Sequence, residues 1–208
     1  MTAVSDRPLR ADAARNAERI LRAAREIYAE LGPDAPMDVI AARAGVGERT
    51  LYRRFPTKGE LARAVIDQSI AETLSPVIER ALANKNPLRG LTDLIEAAIG
   101  LGAREHSALA AALKAGTLTN VSAQLDAALE ELTRRAQEAG LVRADLVAED
   151  LPRIVAMLNG VLSTMDPASD GWKRYVLLML DGLSTPAPRK LPRAVAVEYP
   201  PRLDDWPR

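Results

Sequence analysis

Cysteine is absent from the 208 residues, and histidine occurs once, as His106. Without cysteine, the chain cannot form disulfide bonds, thiolate metal sites or a cysteine nucleophile. The sequence also lacks a glycine-rich phosphate loop and a carboxylate cluster with metal-binding spacing. These absences leave little for catalysis, so the sequence predicts a protein that is not an enzyme and needs no cofactor or metal.

A net charge and long apolar runs are missing as well. Lysine plus arginine and aspartate plus glutamate number 28 each, so affinity for a polyanion has to come from a local patch. No apolar run approaches the roughly 18 residues of a membrane span. The opening MTAVSDRPLR has no apolar signal-peptide core. We expect a soluble, cytoplasmic protein that does not contact a membrane.

Helical periodicity dominates the rest of the pattern. Ile20, Ala24, Ile27 and Leu31 recur at spacings of three and four, which places them on one face of an amphipathic helix. Similar patterns follow, and no alternating run of β-branched residues occurs before residue 190, so about nine helices in an all-α fold are predicted. After the first helix, the predicted spans are 37–44, 48–55, 57–84, 88–102, 104–115, 121–139, 148–164 and 170–183.

The stretch GVGERTLYRRFPTK, residues 45–58, concentrates hydrogen-bond donors on two helical turns. Gly45 suits a left-handed turn between two short helices, and Val46 with Leu51 fills the angle between them. Residues 47–63 include five basic and two acidic side chains, a local positive surplus. A helix with guanidinium groups fits the major groove of DNA and bonds guanine edges or phosphates there. The stretch therefore predicts a helix-turn-helix that binds DNA.

Residues 15–66 resemble the DNA-binding domain of the TetR/AcrR family of bacterial transcriptional regulators. The resemblance depends on Ile20-Leu21 with Ala23-Ala24, Ile40-Ala41 with Ala44-Gly45-Val46, Thr50-Leu51-Tyr52 followed by Phe55, and Lys58 with Leu61. It implies a sequence-specific regulator, usually a repressor, that binds double-stranded operator DNA as a homodimer and is released by a small-molecule effector. The DNA contacts predicted on this basis are Arg49, Thr50, Tyr52, Arg53, Arg54 and Lys58.

The resemblance also divides the chain into four parts. Residues 1–14 are expected to form a flexible arm, in which Arg7 and Arg10 either follow a DNA groove or are simply disordered. For Tyr52, packing of the ring in the core and contact of the hydroxyl with phosphate stay equally open. The other parts are the DNA-binding domain at 15–66 with its helix-turn-helix at about 36–55, a helical effector-binding and dimerisation domain at 67–183, and a proline-rich tail at 184–208.

The residues before the predicted helices 37–44 and 57–84 indicate how the starts of these helices are capped. The family usually has serine or threonine before the second helix, whereas this chain has Asp34-Ala35-Pro36, so Asp34 or the Ala35 backbone is expected to cap it. Thr57 and Glu60 have capping-box spacing, in which each side chain bonds the backbone N–H of the other residue. With Lys58 between them, the free N–H groups at this helix start suit a phosphate.

Residues 148–183 contain the most apolar helices. The segment 148–164 has two adjacent apolar stripes and the run 176–180 is uninterruptedly apolar, so both segments need partners on two sides. Either they form the centre of the monomer's own core or, as the resemblance implies, they pair with their copies in a four-helix dimer interface. The residues predicted for this interface are Leu151, Val155, Leu158, Leu162, Trp172, Val176 and Met179.

The effector site is expected among residues 88–165. No Phe, Tyr or Trp lies between residues 56 and 171, which argues against an aromatic cage for a flat cation and favours a largely apolar effector. His106 could line the cavity or be a structural or exposed histidine. Pro76, Gly100 and Gly102 are expected to let the helices bend. The predicted lining is Leu94, Ala98, Leu101, His106, Leu113, Met157 and Val161.

A second class of function remains open in the sequence. The same helices could belong to a dimeric interaction or ligand-binding protein that does not bind an operator. Arg53 and Arg54 could be ordinary solvated helix charges, but the helix-turn-helix context favours DNA contact, since groove geometry sets which side chains reach the DNA. The intact arginines and Lys58 therefore favour the DNA-binding regulator.

Overall fold

The computed structural model describes residues 6–118, 123–166 and 169–184. These residues form ten α-helices and no strand beyond one isolated bridge between Val142 and Ser184, which confirms the all-α prediction. The count is nine if α4 and α5, joined end to end by a π-helical turn, are taken as one helix. The helices are α1 Asp6–Leu31, α2 Met37–Ala44, α3 Glu48–Arg54, α4 Lys58–Ser69, α5 Ser75–Ala83, α6 Pro87–Arg104, α7 His106–Lys114, α8 Ala123–Glu138, α9 Asp150–Val161 and α10 Lys173–Leu183.

The described chain divides into two compact units. The first unit consists of residues 6–68 and 107–118, and so combines α1 to α4 with most of α7. The second unit consists of residues 69–106, 123–166 and 169–184. None of the described helices combines the length and hydrophobicity that crossing a membrane requires.

Each unit has its own apolar core. Of the periodic residues of α1 predicted to face inward, Ile20, Ala24 and Ile27 are buried in the first unit. Leu31, the last residue of the helix, is instead 55% exposed, because the helical period does not say where along the helix the packing ends. The other large buried side chains of this unit are Tyr28 on α1, Ile40 on α2, Leu51 on α3, and Leu61 and Ile66 on α4. The core of the second unit is centred on α6 and includes Leu91, Leu94, Ile95, Ile99, Leu132, Leu158 and Val176.

The long fourth helix is interrupted where proline predicts it. Pro76 cannot donate a backbone hydrogen bond, and its ring clashes with the carbonyl of residue 72, four positions earlier. In the structure, residues Ile70–Leu74 form a π-helical turn directly before α5, which begins at Ser75. The wider turn accommodates the proline without ending the helix. The prediction of a kink at Ser75-Pro76 is therefore refined to a π turn just before it.

The glycines of α6 do not bend or break the helix. The helix runs through Gly100 and Gly102 to Arg104, and Glu105 caps its end. A Cβ atom at Gly102 would lie 1.8 Å from Oδ1 of Asn159 on α9. Gly102 therefore serves the close approach of α9 to α6 and does not provide flexibility. Since α6 ends at Arg104, His106 does not belong to this helix and is instead the first residue of α7.

Both ends of the chain differ in part from the prediction. Helix α1 begins at Asp6, so residues 6–14, predicted to be a flexible arm, continue the first helix. The side chains of Arg7 and Arg10, which are predicted either to follow a DNA groove or to be disordered, lie outside the described part of the structure. Ser184, the first residue of the predicted tail, caps α10, whereas residues 185–208 lie outside the described part of the chain.

Candidate nucleic-acid interface

The turn between α2 and α3 has the predicted geometry. Gly45 has φ 63° and ψ 38°, a left-handed conformation that costs glycine little. The backbone N–H of Val46 donates to the Ala41 carbonyl at 3.0 Å and closes the end of α2. Gly47, in an extended conformation, then caps α3. The two short helices are thus joined at a fixed angle, as a helix-turn-helix requires.

Arg19 on α1 supports this turn. Its guanidinium donates to the carbonyl oxygens of Ala44 at 2.6 Å and Gly45 at 3.0 Å. A cation at the carboxyl end of a helix is favoured by the helix dipole and satisfies carbonyls that have no partner within the helix. Arg19 therefore fixes α2 to α1. No pattern along the chain singles out Arg19 for this role, because α1 has several arginines with the same local spacing.

Helix α3 has one buried and one exposed side. Leu51 is fully buried and Phe55, just after the helix, is nearly so. The predicted DNA-contact residues of α3 lie on the other side: Arg49, Arg53 and Arg54 are exposed, Tyr52 is 46% exposed, and Thr50 is half-buried.

The arginines on this exposed side are largely without intramolecular partners. The guanidinium groups of Arg49 and Arg53 make no hydrogen bond or ion pair with any side chain in the described ranges. Arg54 stacks over the ring of Phe55, with 5.4 Å from its Cζ to the ring centroid. The exposure of Tyr52 leaves its ring outside the core and its hydroxyl available to a ligand. Helix α3 therefore presents free donors on a rigidly packed base.

The start of α4 holds Lys58 next to this surface. The Glu60 N–H donates to the Thr57 hydroxyl at 3.1 Å, which is one of the two bonds of the predicted capping box. The Lys58 ammonium donates to the backbone carbonyl of Asp34 at 2.8 Å, and this bond engages one of its three protons. Lys58 is therefore positioned by the protein, with two donors left for a phosphate.

The Asp34 side chain does not cap α2 as predicted. Its carboxylate instead forms a 2.8 Å ion pair with Lys114, the last residue of α7. The hydrogen bond from Lys114 holds the pKa of Asp34 below its usual range. The N-cap of α2 is Pro36, without a side-chain hydrogen bond. Because Lys114 lies 80 positions from Asp34, no local pattern predicts that this carboxylate is taken by an ion pair.

A second contact joins the end of α7 to the start of α4. The Thr117 hydroxyl lies 3.1 Å from the carbonyl oxygens of both Gly59 and Ala112, so it donates to either one. A Cβ atom on Gly59 would lie 2.5 Å from the Cβ of Ala115. With the Asp34–Lys114 ion pair, these contacts define a clamp, residues 114–117, that fixes the first turn of α4 and the α1–α2 connection.

The structure places most residues predicted for a dimer interface inside the monomer. Those predicted residues have less than a tenth of their surface exposed, except Val155 and Met179, which are half-buried. The stripe that they form faces the core of the second unit. The sequence did not predict this, because the apolar period alone does not say which stripe of a helix faces inward. The exposed large apolar residues of α9 and α10 are instead Met157, Tyr175, Leu177 and Leu178.

Six of the seven residues predicted to line an effector cavity belong to the second unit, and they do not form one lining there. Leu94, Ala98 and Leu101 are packed in the core of the second unit, where Val161 is half-buried. Met157 in that unit is 57% exposed, and His106 is also exposed. Leu113 belongs to the first unit and is 50% exposed. The apolar pattern that suggested a cavity is used for packing.

Comparisons with known proteins agree with this geometry. The family model for bacterial regulatory proteins, tetR family, matches residues 20–65, and the model for the transcriptional regulator SbtR-like, C-terminal domain, matches residues 86–185. No curated protein matches the chain significantly.

Solved structures extend the likeness over most of the chain. A TetR transcription regulatory protein from Mycobacterium vanbaalenii is 34% identical, covers 85% of this chain and 99% of its own, and gives a TM-score of 0.55. A TetR transcriptional regulator from Streptomyces coelicolor is 30% identical, with 81% and 98% covered and a TM-score of 0.55. PfmR from Thermus thermophilus, at 21% identity, shares the fold, with 84% and 100% covered and a TM-score of 0.62.

The helix-turn-helix with its exposed arginines, followed by a second helical unit, defines a DNA-binding transcriptional regulator. The family matches and the two relatives at 30% and 34% identity establish that the chain belongs to the TetR family. The sequence-based predictions of the fold, the DNA-binding function and the family are confirmed.

Proposed function

We propose that the protein represses transcription by binding an operator as a homodimer and that a small molecule releases it. We infer the DNA contact from the exposed side of α3. There, Arg49 and Arg53 have no partner in the described chain, while the buried Leu51 anchors the helix. Free guanidinium groups on a supported helix suit guanine edges and phosphates in a major groove. Tyr52, Arg54 and Lys58 flank this surface and serve as further phosphate contacts.

The proposed dimer uses the apolar residues that the monomer leaves exposed. Met157 on α9 and Tyr175, Leu177 and Leu178 on α10 have between 42% and 57% of their surface exposed. Large apolar side chains concentrated on two helices of one unit mark an interaction surface. A two-fold dimer covers the same surface on both copies and presents two α3 helices to successive half-sites.

Release requires that the small molecule bind the DNA-incompetent state more tightly than the DNA-bound state. Operator DNA then weakens binding of the small molecule by the same factor, because the two equilibria are linked. The second unit is the proposed receptor, since it does not contain the DNA-contact residues. The effector is not placed in the apolar site predicted from the sequence, because Leu94, Ala98 and Leu101 are packed.

A mobility-shift assay with the DNA upstream of the protein's own gene tests the proposal. We expect a shift that a shuffled fragment does not give, and loss of that shift in an Arg49→Ala, Arg53→Ala double variant. Arg89→Ala, which removes an exposed arginine of the second unit, is the matched control. Transcription from the bound promoter then distinguishes repression from activation.

Compounds that raise the melting temperature are next titrated against the preformed operator complex. Release of DNA by at least one of them supports the proposed control. Absence of DNA binding by a folded dimer would favour the alternative, a helical interaction or ligand-binding protein without an operator.

A further inference from the structure

The outer face of α6 carries charges of both signs around a gap. Asp93, Glu96, Gly100 and Arg104 follow one another at spacings of three and four, so they share one side of the helix. That side is opposite the packed residues Leu94 and Ala98. At 1.5 Å of rise per residue, Glu96 and Arg104 are about 12 Å apart along the axis. Gly100, without a side chain, lies midway between them.

A cleft of about 440 Å³ covers this face within the second unit. Val77 and Arg80 of α5 form one side, and Trp172 with the start of α10 forms the other. The indole lies beside the floor, since a Cβ atom on Gly100 would be 3.8 Å from its ring carbons. The volume falls within the roughly 300–1,000 Å³ of small-molecule sites.

The cleft's charges are not neutralised by one another. Lys173 is paired with Asp170 at 2.9 Å, but the Asp93 and Glu96 carboxylates have no hydrogen bond or ion pair with another described side chain. The same holds for the guanidinium of Arg80, and that of Arg104 donates only to the Thr73 hydroxyl, at 3.5 Å. Two carboxylates and two guanidinium groups thus line one cleft without forming the ion pairs that their charges allow.

We propose that this cleft binds a small zwitterion whose ammonium and carboxylate groups are separated by a short apolar chain. The ammonium bonds the carboxylates of Asp93 and Glu96, and the carboxylate receives the planar fork of Arg104. The ligand lies over Gly100 with its carboxylate end at the Arg104 guanidinium, which is 3.5 Å from the position of a Gly100 Cβ atom, and its chain packs against Trp172. An ω-amino acid or a dipeptide has this arrangement. The site is additional to the proposed function and does not depend on DNA binding.

Calorimetric titration of the full chain with three matched probes tests the site. The probes are 6-aminohexanoate, which carries both charges, hexylammonium, which lacks the carboxylate, and hexanoate, which lacks the ammonium. We expect 6-aminohexanoate to bind up to about fivefold more tightly than either, since each partly exposed ion pair is worth at most about that factor. Equal affinity for all three probes, or no binding of 6-aminohexanoate at millimolar concentration, overturns the proposal.

Variants assign the two charges to their partners. Glu96→Gln should reduce the advantage of 6-aminohexanoate over hexanoate, and Asp93→Asn with Glu96→Gln should remove it. Arg104→Met should remove the advantage over hexylammonium. Glu79→Gln, which changes an exposed carboxylate of α5 outside the cleft, should preserve both advantages. Retention of both advantages by Glu96→Gln and Arg104→Met would place binding elsewhere and refute the site.

A steric variant provides an independent check. Gly100→Ala should fold at least as stably as the wild type, because its methyl group meets only ordinary contacts and alanine favours helices. It should nevertheless weaken 6-aminohexanoate severalfold, because the methyl group occupies the floor of the cleft. Unchanged affinity in a variant with an unchanged melting temperature contradicts the proposed path over Gly100.

Discussion

Gly59 and Ala115 pack so closely that a Cβ atom on Gly59 would lie 2.5 Å from the Cβ of Ala115 and 2.9 Å from Cγ2 of Thr117. Real side chains do not approach at 2.5 Å, so one of the two backbones would have to move. Gly59 follows Lys58 directly, and the clamp at 114–117 also holds Asp34, whose carbonyl accepts a hydrogen bond from Lys58. The closeness of this packing therefore determines where the Lys58 ammonium lies.

The first prediction is that Gly59→Ala lowers both stability and operator affinity. Overpacking of this kind costs about 1–3 kcal/mol, and displacement of the clamp shifts Lys58 away from its position. A triple variant that combines Gly59→Ala with Ala115→Gly and Thr117→Ser lacks both contacting methyl groups but keeps the hydroxyl at position 117. It should regain most of the stability and operator affinity that Gly59→Ala loses. Thermal melting and operator titration measure the two effects. Gly100→Ala, in which the added Cβ meets only ordinary contacts from 3.5 Å outward, is the control. Full stability in Gly59→Ala alone would contradict the packing described.

The second prediction distinguishes base contacts from phosphate contacts on α3. Arg49→Ala and Arg53→Ala should each weaken operator binding by about 1–3 kcal/mol without changing the melting temperature, because both side chains are exposed. Loss of a phosphate contact should also lower the salt dependence of affinity by about one ion, whereas loss of a base contact should change discrimination between operator sequences. Operator titrations at several salt concentrations separate the two roles. If neither variant alters affinity relative to Arg89→Ala, this side of α3 does not contact DNA.

Sequence-based prediction succeeds for structural features that depend on residues close together along the chain. Gly45, Leu51 and Phe55 were predicted correctly because the left-handed turn and the helical period involve only neighbouring residues. The Asp34–Lys114 pair joins residues 80 positions apart, and the Gly59–Ala115 contact likewise depends on how separate helices pack. No pattern along the chain contains this information.

The apolar stripes of α9 and α10 show a different limit. Their width predicted correctly that these helices are apolar on more than one side. It did not say which stripe faces the monomer core, since core and interface residues have the same composition. Val176 is fully buried and its neighbour Leu177 is 53% exposed, a difference that only the packed structure reveals.

The third prediction uses this neighbouring pair to test the dimer. Leu177→Glu should give a folded monomer that no longer binds the operator, because the substitution places a charge in the proposed interface but not in the core. Val176→Glu should instead unfold the subunit, since it buries an unpaired carboxylate. Sedimentation velocity, circular dichroism and operator titration separate these outcomes. A Leu177→Glu variant that is still a dimer would show that the interface lies elsewhere.

The fourth prediction concerns the contact between Gly102 and Asn159. In Gly102→Ala the new Cβ displaces the Asn159 amide, which also loses its 3.0 Å hydrogen bond to the Val155 carbonyl. We expect a loss of roughly 1–3 kcal/mol in the free energy of unfolding. Asn159→Ala alone should cost less than Gly102→Ala, because it removes the bond to Val155 without creating a clash, and the buried Asn159 Oδ1 accepts no hydrogen bond from the described residues.

The double variant completes this thermodynamic cycle. Gly102→Ala with Asn159→Ala should be more stable than Gly102→Ala alone, because the clashing amide is gone. Chemical denaturation of the four proteins gives the coupling energy, which for residues in contact is about 0.5–3 kcal/mol. Simple additivity of the two changes would mean that the side chains do not touch.

The fifth prediction follows from Tyr28, whose ring is fully buried between α1 and its neighbours in the first unit. Burial raises its pKa from 10.0 to about 12, because the phenolate loses its hydration. The folded protein therefore retains this proton over a pH range in which the unfolded chain releases it. The stabilisation is complete below pH 10 and is lost as the pH rises through about 12.

Comparison with Tyr28→Phe isolates this contribution from the other groups that titrate in alkali. The free energy of unfolding of the wild type, relative to that of Tyr28→Phe, should fall by roughly 2–3 kcal/mol between pH 10 and pH 12. At pH 7 and pH 9, below this window, the difference between the two proteins should be constant. Denaturant titrations at each pH provide the measurement. A difference that stays constant up to pH 12 would mean that the Tyr28 phenolate is hydrated in the folded protein, which is incompatible with its burial.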